Sequence, residues 1–99
     1  MFGNMFGNLE EKQKALQEKL AGIVIDESAA GGKLSISVNA RREVLNISID
    51  PELAADPEQL EDMLVITMNK ALQSATAVEV EEGQKLMKDM LPPGLDKLF

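Results

Sequence analysis

Lys12 and Lys19 stand two helical turns apart. On a wheel of 100° per residue they fall together at one edge of a stripe made by Leu9, Leu16 and Leu20, while Glu10, Glu11 and Glu18 lie on the back. A pair so placed can present ammonium groups to phosphates with the acids turned away, the segregation an acidic chain needs to hold a polyanion. It can equally lay its stems along the apolar stripe and leave its charges in water. Arg41 and Arg42 form a second cationic patch in the loop of a hairpin, where charged tips are also common as plain solvated turns. Lys70 and Lys88, with Lys85 nearby, mark one side of a long helix. There they mix with Glu79, Glu81, Glu82 and Asp89, the pattern of a solvated mixed-charge face.

Composition limits what else these residues can do. The chain has 99 residues, a net charge of -7 and no histidine or cysteine. That balance argues against a simple basic nucleic-acid binder, so any DNA contact must come from lysines segregated from the acids. Without histidine and cysteine the usual zinc ligands, thiolate chemistry and the side chain best tuned for proton transfer near neutral pH are missing. The many carboxylates stand in no pattern with a nucleophile, a metal set or a phosphate loop. Gly32-Lys33 fails as a P-loop because Leu34 follows and Glu27 stands where the first glycine belongs. A calcium loop from Asp50 fails because Ala55 replaces its glycine. Asn46-Ile47-Ser48 matches a glycosylation acceptor by spelling only. The expectation is a protein that is not an enzyme and takes no cofactor and no metal. No apolar run reaches the roughly 20 residues of a membrane span, no secretion signal is expected, and the lack of cysteine fits a reducing cytosol.

The elements that must position these cations read in order. Met1-Phe2-Gly3-Asn4 is repeated as Met5-Phe6-Gly7-Asn8, too short for a structural repeat, and residues 1–7 are expected to form a flexible lead whose Phe2 and Phe6 are available for docking. Asn8-Leu9-Glu10-Glu11 has the form of a capping box, which predicts a helix from there to about Ala21 with Gly22 as its stop. Ile23 to Glu27 is a β-branched run. Leu34, Ile36 and Val38 then alternate with polar residues, and after the break from Asn39 to Glu43 so do Leu45, Ile47 and Ile49. This is a three-stranded antiparallel meander with one greasy face, and the serines and asparagines of the other face are wet or meet something polar. Pro51 ends it. Asp56-Pro57-Glu58-Gln59 opens a second helix, whose broad face of Leu60, Met63, Leu64, Thr67, Met68, Ala71, Ala75 and Val78 is suited to cover the sheet. Carried to about Met90, it is roughly 50 Å long at ~1.5 Å per residue, longer than the sheet, so its far half projects as an arm. Leu91-Pro92-Pro93-Gly94 stops it, and residues 92–99 form a tail. The whole is one α+β domain over 1–99, of order α-β-β-β-α, small enough that a second copy is an easy way to enlarge its core.

The segment from Ala30-Gly31-Gly32-Lys33-Leu34 to Asn39, the strand from Val44 to Ile49 leading into Asp50-Pro51-Glu52-Leu53, Leu60-Glu61-Asp62-Met63, Asn69-Lys70-Ala71, the Met-Phe-Gly start and Leu91-Pro92-Pro93-Gly94 together resemble the YbaB/EbfC family of nucleoid-associated proteins. The order and spacing of these pieces carry the likeness over nearly the whole chain. The hairpin departs from the family's Asn-Gly turn, since Asn39 is followed by Ala40-Arg41-Arg42. The resemblance implies a tweezer-like homodimer with projecting helical arms that binds duplex DNA with little sequence preference, largely through the phosphate backbone, in the bacterial cytoplasm and nucleoid. The cations that lie in the right elements for that are Lys12, Lys14 and Lys19 of the first helix and Lys85 and Lys88 of the arm, with Arg41 and Arg42 as a second patch. The rival reading is a protein-interaction module whose arms and apolar termini clamp a partner protein, any DNA association being indirect.

Overall fold

A computed structural model describes residues 2–91 and Gly94, with side chains from Gly7 onward. The elements run α1 (Phe2–Gly22), β1 (Val24–Ala29), β2 (Leu34–Asn39), β3 (Val44–Ile49), α2 (Pro51–Ala54) and α3 (Pro57–Met90). The strands form one antiparallel sheet in the order β1-β2-β3. The α+β class and element order read from the sequence therefore stand, with one short helix added after β3.

That helix, α2, forms because Asp50 caps it, its carboxylate accepting from the Glu52 amide at 2.8 Å, and Pro51 takes the first helical position where no amide is needed. It delivers Leu53 into the core. Between β1 and β2 the chain turns through three successive left-handed residues, Ala30, Gly31 and Gly32, with φ of 54°, 66° and 89°. Two glycines there spare the chain most of the steric cost of that backbone.

The core lies between the sheet and α3. Leu34, Ile36 and Val38 of β2 are fully buried against Ala71 and Ala75 of α3 and against Leu53, with Ile25, Leu60, Met63 and Met68 packed around them. Each full burial of such an aliphatic side chain is worth roughly 1.5–3 kcal/mol, so the central strand anchors the fold. The alanines let α3 lie close. Asp56 starts α3 by accepting from the Gln59 amide at 3.3 Å, as Asp56-Pro57 predicts. The helix then runs without a break past Gly83.

Three expectations are corrected. Helix α1 begins at Phe2 and not at Asn8, so residues 2–7 continue the helix and Asn8-Leu9-Glu10-Glu11 lies inside it. Adding a residue to an existing helix is far easier than nucleating one, and this carries α1 through Gly3 and Gly7. Strand β1 is Val24–Ala29, two residues further on than the β-branched run. Strand β3 is not covered within the protomer: all six of its residues are exposed, because α3 crosses β1 and β2 and leaves the edge bare. A bulge between Ser37 and Val38 also brings Val44 opposite the buried Val38, so Val44 joins Ile47 and Ile49 on the core-side face. The Phe2 and Phe6 side chains and, apart from Gly94, the tail 92–99 lie outside the described residues.

Candidate nucleic-acid interface

Helix α1 is held at its C-terminal end. Leu20 is fully buried there, and the hairpin loop satisfies carbonyls that a helix end leaves without partners. The Ala40 amide donates to the carbonyls of Leu20 and Ile23, each at 3.1 Å, and the Asn39 side-chain amide donates to the Ala21 carbonyl at 3.2 Å. Asn39 also shapes the loop, its side-chain oxygen accepting from the amides of Arg41 at 3.0 Å and Glu43 at 3.1 Å. From this anchor α1 runs beside the far half of α3, leaving an open trough on each side of their contact.

One trough is cationic. It measures about 320 Å³ and is walled by Lys12, Leu16 and Lys19 of α1 and by Glu82, Lys85 and Asp89 of α3. Lys19 Nζ lies 2.6 Å from Glu82 Oε2, and Lys85 Nζ lies 3.3 Å from Glu82 Oε1 and 3.6 Å from Glu81. The Glu82 side chain is only 11% exposed, against 58% for Lys19 and 59% for Lys85, so the carboxylate forms the floor and the ammonium groups the rim. The hydrogen bond from Lys19 holds the Glu82 carboxyl below the usual glutamate range; partial desolvation opposes this and Lys85 reinforces it. Glu82 and then Glu81 raise Lys85 in return.

The other trough is apolar. It encloses about 710 Å³ between Leu9, Leu16 and Leu20 on one side and Val80, Met87 and Met90 on the other.

The seven candidate cations therefore separate. Lys12, Lys19 and Lys85 converge on one cleft. Lys14, on the other side of α1, and Lys88 are exposed and do not line it. Arg41 and Arg42 stand at the hairpin tip; Arg42, with a left-handed φ of 65°, reaches α3, where its Nη1 lies 2.6 Å from Glu79 Oε1, whereas Arg41 makes only a 3.9 Å contact with Glu43. Among the described residues Lys12, Lys14 and Lys88 make no ion pair. Glu79 and Glu82 were not singled out from the sequence as partners of these cations. Their signal was their position where the apolar stripe of α3 would continue, which aims them at α1 and the hairpin. Asn39 gave no signal beyond ending a strand. Among the described residues no group of three or more acids converges as a metal site, and no helix is long and apolar enough to cross a membrane.

Comparison with known proteins gives three findings. A sequence model of the YbaB/EbfC DNA-binding family matches residues 1–90. A nucleoid-associated protein of Flavobacterium johnsoniae is 43% identical over 100 residues, covering 96% of this chain and 94% of that protein, and one of Chlorobaculum tepidum is 35% identical over 95 residues, covering 93% and 86%. The fold is similar to the crystal structure of an uncharacterized protein from Helicobacter pylori, with a TM-score of 0.74 at 23% identity over 92% of this chain and 94% of that one.

Proposed function

The chain belongs to the YbaB/EbfC DNA-binding family, and we propose that it acts as a non-enzymatic homodimer that grips duplex DNA by its phosphate backbone, with little sequence preference, in the bacterial nucleoid and hence the cytoplasm. The observation that carries the reading is the gathering of Lys12, Lys19 and Lys85 on one cleft of a protein whose net charge is -7. Phosphate contacts are blind to sequence, and no side chain of the cleft is suited to bidentate reading of a base edge. In a dimer each lysine counts twice. Lys14, Lys88, Arg41 and Arg42 then serve as a diffuse cationic surround.

The dimer is supported by what β3 leaves bare. Val44, Leu45, Ile47 and Ile49 are 38–51% exposed along an edge strand, and Val65 and Ile66 of α3 are exposed by 62% and 53%. Ile47 and Val65 share a shallow trough with Leu64 and Met68. A second copy placed on this strip covers the greasy half-face and an unpaired strand edge together. The partner-clamping reading is favoured by one feature, the apolar trough between α1 and the arm.

The two readings separate on purified protein. Changing Lys12 and Lys19 to glutamate is expected to weaken duplex affinity by about tenfold or more, each lost phosphate contact also lowering the salt slope by about 0.9, with an unchanged circular dichroism spectrum. Unchanged affinity removes those residues from the site. Absence of any duplex binding by the pure protein, together with a protein partner whose capture survives nuclease treatment, favours the clamp.

A further inference from the structure

The two oxygens of Glu82 are used separately, Oε2 on Lys19 and Oε1 on Lys85, at 2.6 Å and 3.3 Å. Glu79, three residues earlier on α3, holds Arg42 at 2.6 Å. Three of the cations available to a polyanion are thus already paired inside one protomer. A carboxylate that offers one oxygen to each of two ammonium groups has the charge and the acceptor spacing of the two non-bridging oxygens of a phosphodiester. Resting on the DNA-binding reading above, we propose that Glu82, seconded by Glu79 one turn earlier, is a resident counter-ion that fills the seat a backbone phosphate takes between α1 and the arm, and thereby sets the protein's duplex affinity and salt sensitivity.

The argument is one of competition. Ion pairs whose cations are this exposed are weak, so a phosphate displaces the carboxylate readily. The displaced charge stays beside the incoming phosphate and repels it. A freed carboxylate also draws a cation from solution while the phosphate sheds one, so a seat held by glutamate adds little to the salt slope. A positioning role, in which Glu82 gathers the two lysines into a fork, gives the opposite sign on removal.

The test is a titration of labelled duplex with the full-length protein and its Glu82→Gln variant, beside Glu61→Gln as a control that changes net charge equally at an exposed site outside the cleft. At low salt the Glu82 variant is expected to bind about three- to tenfold tighter than wild type, the effect of removing one like charge near the phosphate. Its salt slope should steepen by about two, one seat per protomer. The control should follow wild type, and adding Lys19→Ala should erase the gain. If wild type binds and the Glu82 variant binds no tighter than the control, the counter-ion is refuted while the DNA-binding reading stands; weaker binding by the variant refutes it in favour of positioning. If none of the proteins binds duplex at low salt, both fall.

Discussion

Asn39 ties together three parts of the protein with one buried side chain. It closes the β2–β3 loop through the Arg41 and Glu43 amides, takes the Glu43 carboxylate at 2.8 Å, and reaches the end of α1 through Ala21. Replacing it by alanine leaves those groups without their partner in a covered site, which costs about 1–3 kcal/mol in such settings. Asn39→Ala is therefore expected to lower the stability measured by urea unfolding by about 2 kcal/mol, with an unchanged slope; a loss below about 0.5 kcal/mol, within the range of an ordinary surface change, would contradict that role. The sequence exposed the charged side chains of this region but not this one. An asparagine that ends a strand looks like any turn residue, and only the loop folded onto the end of α1 makes it a hub. Ala40 is similar: its small size, departing from the family's glycine, fits a fully buried position whose amide bonds back to α1.

At the scale of elements, the pairing of α1 with α3 depends on pH in a direction set by Glu82. Its carboxyl is held below the usual range by Lys19 first, with Lys85 reinforcing; Glu81 and Asp89 are the neighbouring acids, and Lys12 the remaining cation of the cleft. A depressed folded pKa means the contribution is fully present above the unfolded value, about 4.3 for glutamate, and disappears as pH falls through the folded value. Hydrogen exchange of α1 amides should be faster in Glu82→Gln than in wild type at neutral pH, and the gap should close in strong acid. A gap that persists below the glutamate range would contradict the pairing. Both bounds of α3 were legible because Asp56-Pro57 and Leu91-Pro92 punctuate them chemically. The start of α1 was not, because a capping-box pattern states a preference that an adjoining helix overrides. Strand alternation likewise told which face of β3 is apolar but not what would cover it, a matter of how far α3 reaches across the sheet.

At the scale of the molecule, an elongated protomer of 62 × 25 × 16 Å has most of its core at the sheet end and most of its cleft along the arm. The bare strip of β3 and α3 lies at the sheet end, so pairing there leaves both clefts free. Ile47→Asp or Val65→Asp alters residues that are 43% and 62% exposed in the protomer, and is expected to convert a dimer into a folded monomer in sedimentation experiments. A variant that still sediments as a dimer would place the interface elsewhere. Pairing was suggested by the small size of the chain and by the family likeness, whereas its location was visible only once β3 proved to be uncovered. The separation of cations from acids was half legible. The wheel of α1 put Lys12 and Lys19 together, but Lys85 joins them only because α3 outruns the sheet and lies along α1.

The central claim is direct phosphate contact by a protein of net negative charge, and the most direct measurement is fluorescence anisotropy of a labelled duplex titrated with wild-type protein at about 50 mM and 200 mM salt. The account predicts saturable binding at the lower salt and a loss of about tenfold or more at the higher, as expected when at least two phosphates per dimer are engaged. No binding at low salt, or binding indifferent to salt, would contradict it.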